Sequence, residues 1–143
     1  MNLGIYIPSL GPSELNNVLF TKLNQYVEES TFDDVSLFYD DINFCPIDAK
    51  FGLFNTHNLW NFTGTLFCFS LDLVPKLENT VNKFKTVLVY DNRKNIFNIL
   101  KAMESYDVMA VTQEHAKYLS RVTGKEVEIL ESFDFSKALE LAK

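Results

Sequence analysis

From Lys85 to Leu130 the chain reads KTVLVYDNRKNIFNILKAMESYDVMAVTQEHAKYLSRVTGKEVEIL, and this stretch restricts the fold more than any other. An apolar run, Val87 to Tyr90, ends in Asp91-Asn92-Arg93. A helix pattern follows, with Ile96, Ile99, Leu100 and Met103 on one face. A second apolar run, Val108 to Val111, ends in Thr112-Gln113. The helix pattern after it closes at Gly124, and Val127 to Leu130 reads as a short strand. Strands alternating with helices over short polar links form parallel βαβ units. The expected fold is α/β: a Rossmann-like, doubly wound, mostly parallel sheet of about six to seven strands with helices on both faces.

The rest of the chain fits that plan. Leu3 to Ile7 suits a central strand buried on both faces. Pro8 to Ser13 breaks it; Pro12 fits the first turn of a helix, and Ser13 can cap it. That helix is expected to reach about Glu29, with Leu15, Val18, Leu19, Leu23, Tyr26 and Val27 on its apolar stripe. Val35 to Tyr39 is the second strand, ended by Asp40-Asp41, and Pro46 marks residues 42–50 as loop. Phe51 to Asn55 is the third strand, Leu59 to Thr63 a turn or a single helical turn, and Thr65 to Phe69 the fourth strand. Pro75 opens a helix whose apolar side is Val74, Leu77, Val81 and Phe84. Ser132 to Lys143 closes the chain as a helix with Ala138, Leu139 and Ala142 inward. With 143 residues and no internal repeat, one domain over residues 1–143 is expected.

Charge and composition exclude several functions. A net charge of −6 with scattered Lys and Arg argues against general nucleic-acid binding. No apolar run approaches the roughly 20 residues of a membrane span. Met1-Asn2-Leu3-Gly4 carries no basic leader, so no signal peptide is expected. Cys45 and Cys68 lie in apolar settings without CxxC spacing. They read as two buried free thiols in a reducing cytoplasm, with a disulfide or a metal site as the alternative.

In open parallel sheets, ligands sit outside the carboxyl ends of the strands, where helix N-termini also gather. That rule selects Ser9, Gly11 and Ser13; Asp40 and Asp41; Asn55, Thr56 and His57; Ser70 and Asp72; Asp91, Asn92 and Arg93; and Thr112 and Gln113. These residue types are also the preferred helix caps, so each has a plain structural reading as well. His57 is the candidate general base, since an imidazole titrates near neutral pH, with Asp91, Asp72 or Asp40 to orient it. It is expected to be accessible and within reach of a rim carboxylate. His115, beside Glu114 and Lys117, reads as solvated surface. Phe51, Phe54, Trp60, Phe62, Phe67 and Phe69 crowd one region; a core is the simple reading and a partner surface the other.

Several motifs are absent. There is no GxGxxG, no GxxxxGK[ST] and no GxSxG, so no cofactor is expected. No metal site is expected either. The acidic pair Asp40-Asp41 follows the second strand, whereas a phosphoacceptor receiver domain needs one after the first. Ser9-Leu10-Gly11-Pro12-Ser13 is a poor version of a flavodoxin-like phosphate loop.

The segment YDVMAVTQEHAKYLSRVTGKEVEILESFD, Tyr106 to Asp134, resembles the closing segment of the N-terminal, acceptor-side domain of GT-B glycosyltransferases. In that family a strand ends at Ser or Thr, a helix carries a Leu and ends near a Gly, and a strand leads to an Asn-Gly-x-Asp-like turn. Here these are Thr112, Leu119, Gly124 and Asp134, with Ser132-Phe133 in place of Asn-Gly and no Pro. Asn55-Thr56-His57-Asn58-Leu59-Trp60 is similar to the His-containing stretch after a middle strand of the same domain. The resemblance implies an acceptor-shaping domain with His57 as base, while a C-terminal domain binds the sugar nucleotide. The sequence ends at Lys143, where that second domain would begin. The expectation is an acceptor half that does not transfer sugar alone, working with a separate donor-binding chain or kept as a degenerate binding unit.

Two other functions fit the residues. One is a non-catalytic interaction or self-association module, such as a homo-oligomer. The other is a binder of a small anionic metabolite or nucleotide at the first loop and the Asp91-Asn92-Arg93 turn, where Arg93 would pair with a phosphate or carboxylate.

Overall fold

A computed structural model describes residues 1–41, 45, 47–69, 84–90 and 106–141. The chain is α/β and Rossmann-like. Seven strands are ordered β3-β2-β1-β4-β5-β6-β7, the Rossmann order with one strand added, and the order reverses between β1 and β4. The strands are β1 (Asn2–Ser9), β2 (Asp34–Asp41), β3 (Gly52–Asn55), β4 (Gly64–Cys68), β5 (Phe84–Tyr90), β6 (Asp107–Ala110) and β7 (Glu128–Ile129). Among the described residues the helices are α1 (Glu14–Glu28), α2 (Gln113–Thr123) and α3 (Phe135–Leu141), with 3-10 segments at Thr56–Asn61 and Glu131–Phe133. The chain divides into two compact units, Met1–Phe67 with Thr80–Lys85 and Cys68–Asn79 with Thr86–Lys143.

In the first unit β1, β2 and β3 pair in parallel, with Gly4 opposite Ser36, Tyr6 opposite Phe38, and Phe38 opposite Phe54. Leu3, Ile5 and Ile7 are buried, as a central strand requires. Ser13 caps α1, accepting a hydrogen bond from Asn16 N–H at 3.0 Å. The buried side of α1 is Asn16, Leu19, Phe20, Leu23 and Tyr26. The expected stripe is therefore corrected by one position around the helix, because Val18 is 51% exposed. Asn16 is buried on the other side of the stripe because its amide serves the preceding loop, donating to the carbonyls of Ser9 (3.2 Å) and Gly11 (2.7 Å).

Both crossovers, β1 to β2 and β2 to β3, step the same way along the sheet. Right-handed connection puts both on one face, and the ring of Phe51 accordingly packs on Phe20 of α1 at 5.6 Å. The β3 to β4 connection steps back and must cross the opposite face. It holds only the 3-10 segment Thr56–Asn61 and two further residues. Phe62 from this connection packs on Phe38 at 5.5 Å and Phe84 at 5.6 Å. It lies so close over Gly4 that a Cβ there would meet its ring at 2.6 Å. Phe84 belongs to β5, not to the helix expected over residues 74–84; the rest of that helix, and the one at 94–103, lie outside the described residues.

In the second unit β5, β6 and β7 pair in parallel. Tyr90, Ala110, Ala116, Leu119 and Val127 form its core, and Phe69, Phe133 and Phe135 make a ring cluster with centroids 5.9–6.4 Å apart. Thr112 caps α2, and Gly124 ends it at φ 71°. Cys68 is buried and Cys45 half-buried, its Sγ–H directed at the Ile47 carbonyl. Among the described residues no helix is long and apolar enough to cross a membrane.

Candidate functional site

Parallel pairing brings the carboxyl ends of β1, β2 and β3 side by side: Ser9 is opposite Asp41, and Tyr39 opposite Asn55. The centre of this edge is the Asp40 carboxylate. It accepts hydrogen bonds from the Tyr6 hydroxyl (3.1 and 3.2 Å to its two oxygens) and from Thr56 Oγ1 (2.9 Å). Tyr6, Phe38 and Asp40 share a sheet face through register and two-residue alternation, so a buried tyrosine body carries its polar tip to the rim.

Several selected rim residues are engaged locally. Ser9 Oγ accepts from Gly11 N–H at 3.2 Å, so that N–H is not available to a phosphate. Ser13 caps α1, and Asn55 caps the 3-10 segment by accepting from His57 N–H at 3.1 Å. His57 is exposed, as expected. Its imidazole makes no hydrogen bond among the described residues. The reason is the turn of the 3-10 segment, which presents Thr56, not His57, to Asp40. Thr112 and Gln113 are exposed at the start of α2 in the second unit, where Thr112 Oγ1 accepts from His115 N–H at 3.2 Å. Asp91, Asn92, Arg93, Ser70 and Asp72 lie outside the described residues.

Two features escape the reading of the sequence. His115 is half-buried against Tyr90, with ring centroids 5.6 Å apart and nearly edge-on. Its Nδ1 is buried and unpartnered among the described residues, so it is not the solvated side chain that Glu114 and Lys117 imply. The clue was position: it stands three residues after the cap Thr112. The second feature is the face of β2 opposite α1, where Phe38, Phe54 and Phe62 line a cavity with Asp34 and Ser36. Of the aromatic group at 51–69, Phe51, Phe62, Phe67 and Phe69 are core, whereas Phe54 is 40% exposed.

Among the described rim residues, 8–13, 40–41 and 55–63, none is Lys or Arg; the β2–β3 loop does carry Lys50, which pairs with Glu28. The rim residues offer hydroxyls, amides, an imidazole and carboxylates. Among the described residues no group of three His, Cys, Asp or Glu is placed to hold a metal ion. No family model, curated protein or solved structure matches the chain.

Proposed function

We propose that the chain is the acceptor-side unit of a GT-B-like glycosyl transfer system, holding a neutral saccharide at the carboxyl ends of β1 to β3 while a donor-binding domain holds the sugar nucleotide. The polar groups described at this edge, the Asp40 carboxylate with the Tyr6 and Thr56 hydroxyls bonded to it and the exposed His57 imidazole, with no Lys or Arg among the described rim residues, carry this reading. A phosphate or carboxylate ligand is recognised by cations or free N–H groups. A sugar hydroxyl both donates and accepts, which matches amides, hydroxyls and a carboxylate. His57, exposed beside Thr56, is the group proposed to take a proton from an acceptor hydroxyl. The family resemblance has backbone support. Where the family has Asn-Gly, Ser132 and Phe133 take φ of 49° and 54°, the left-handed region that Asn and Gly favour. Asp134 then caps α3, accepting from Lys137 N–H at 3.1 Å.

An array of immobilised saccharides and nucleotides tests the proposal. The expected result is capture by a neutral saccharide that weakens about tenfold, or ~1.4 kcal/mol, in His57→Ala. Capture by nucleoside diphosphates alone, or by nothing, contradicts it.

A second reading, self-association, has one observation in its favour. Among the described residues β3 is an edge strand, and its Leu53 and Phe54 are 37% and 40% exposed. Light scattering that shows a monomer at high concentration removes it.

A further inference from the structure

We infer that the face of β2 opposite α1 carries a separate pocket for one neutral, polyhydroxylated six-membered ring. The inference does not depend on the GT-B reading. The described crossover on this face is a 3-10 segment and two residues, too short to lay a full helix across β2. What remains is a cavity of about 370 Å³, at the small end of the roughly 300–1,000 Å³ range of ligand pockets. That size restricts the occupant to one ring with its substituents.

The lining selects the chemistry. Phe38, Phe54 and Phe62 line it, with Phe38 tilted 32° to Phe54 and 70° to Phe62; Phe38 and Phe62 are buried, and Phe54 presents the exposed ring. Rings so inclined form a bowl, which suits the C–H groups of a puckered ring better than a flat base. Phe54, at 40% exposure, has a ring face still to be covered.

The polar side carries the more specific observation. Ser36 is 5% exposed and lines the cavity, yet among the described residues its hydroxyl reaches only Asp34 Oδ2 at 3.5 Å. That is beyond the usual 2.5–3.0 Å of an O–H···O bond, so a buried hydroxyl stands underused. A ligand hydroxyl there can accept from Ser36 and donate to Asp34. The Asn58 amide, also on the wall, supplies a further donor and acceptor. Among the described residues no Lys, Arg or His lines the cavity, which disfavours phosphorylated or acidic rings.

The test is NMR of the full chain with Phe rings labelled, titrated with methyl glycosides and, separately, with nucleosides. The expected result is that a glycoside shifts the Phe38 and Phe54 rings. Its affinity at these rings should fall about tenfold in Phe54→Ala and in Ser36→Ala. Glycoside shifts confined to the amides of residues 9–13 and 55–57, indifferent to Phe54→Ala, overturn the pocket and leave the rim proposal standing. Binding of nucleosides in place of glycosides, or of neither, also overturns it. Phe54 is exposed enough that its truncation leaves the fold intact, and Asp34→Asn, at an exposed position, gives an independent variant expected to weaken the same glycoside.

Discussion

Thr56 donates its hydroxyl hydrogen to the Asp40 carboxylate over 2.9 Å, and so joins the start of the 3-10 return segment to the end of β2. Hydrogen bonds to charged groups contribute roughly 1.5–3 kcal/mol, less where water reaches them. Both residues are half-buried, so Thr56→Val is expected to lose about 1 kcal/mol in urea denaturation. An unchanged midpoint would mean that the contact does not hold the rim together.

Gly64 and Gly124 both have positive φ, at 131° and 71°, for different reasons. A Cβ on Gly64 would meet the backbone oxygen of Asn2 at 2.4 Å, while one on Gly124 would meet nothing within 4 Å. Gly124→Ala should cost about 1 kcal/mol, the left-handed penalty alone. Gly64→Ala should cost more than ~2 kcal/mol, because backbone must move as well. Thermal denaturation giving equal losses would contradict this difference.

Ser132 and Phe133 are adjacent left-handed residues with opposite expectations. Ser132 is exposed, so Ser132→Gly relieves strain at little cost in contacts and should stabilise by ~0.5 kcal/mol. Phe133 packs its ring on Phe69 and Phe135. Phe133→Gly should lose about 3 kcal/mol despite the better backbone fit. A stabilising Phe133→Gly would show that the ring cluster contributes little.

The corrected face of α1 gives a direct contrast. Phe20 is fully buried and Val18 is 51% exposed. Phe20→Ala should cost about 3–5 kcal/mol, and Val18→Ala should stay within roughly 0.5 kcal/mol. Guanidinium denaturation in which Val18→Ala is the more damaging would restore the stripe expected from apolar spacing.

Apolar runs and turn residues located all seven strands, because a parallel sheet buried on both faces leaves continuous hydrophobic stretches. The helix face was misplaced at Val18 because an apolar template cannot anticipate Asn16, whose amide is buried for the carbonyls of the first loop. The Tyr6–Asp40 contact was hidden for a related reason. It joins residues 34 positions apart, and only the β1–β2 register places them on one face. The rim candidates were legible as a class, yet Ser13, Asn55 and Thr112 act as caps. The exposure of His57 was legible, but which neighbour would face Asp40 depended on the 3-10 geometry. The cavity on the β2 face could not be read at all, since it follows from strand order and a short crossover.

The central claim is that the carboxyl edge of β1 to β3 binds a neutral saccharide. Amide chemical-shift mapping with the saccharide selected on the array tests it most directly. The account predicts saturable shifts at Ser9, Gly11, Asp40 and residues 55–57, and none at these positions with a sugar nucleotide. Shifts confined to Thr112, Gln113 and His115, or shifts at the rim with the sugar nucleotide alone, would contradict it.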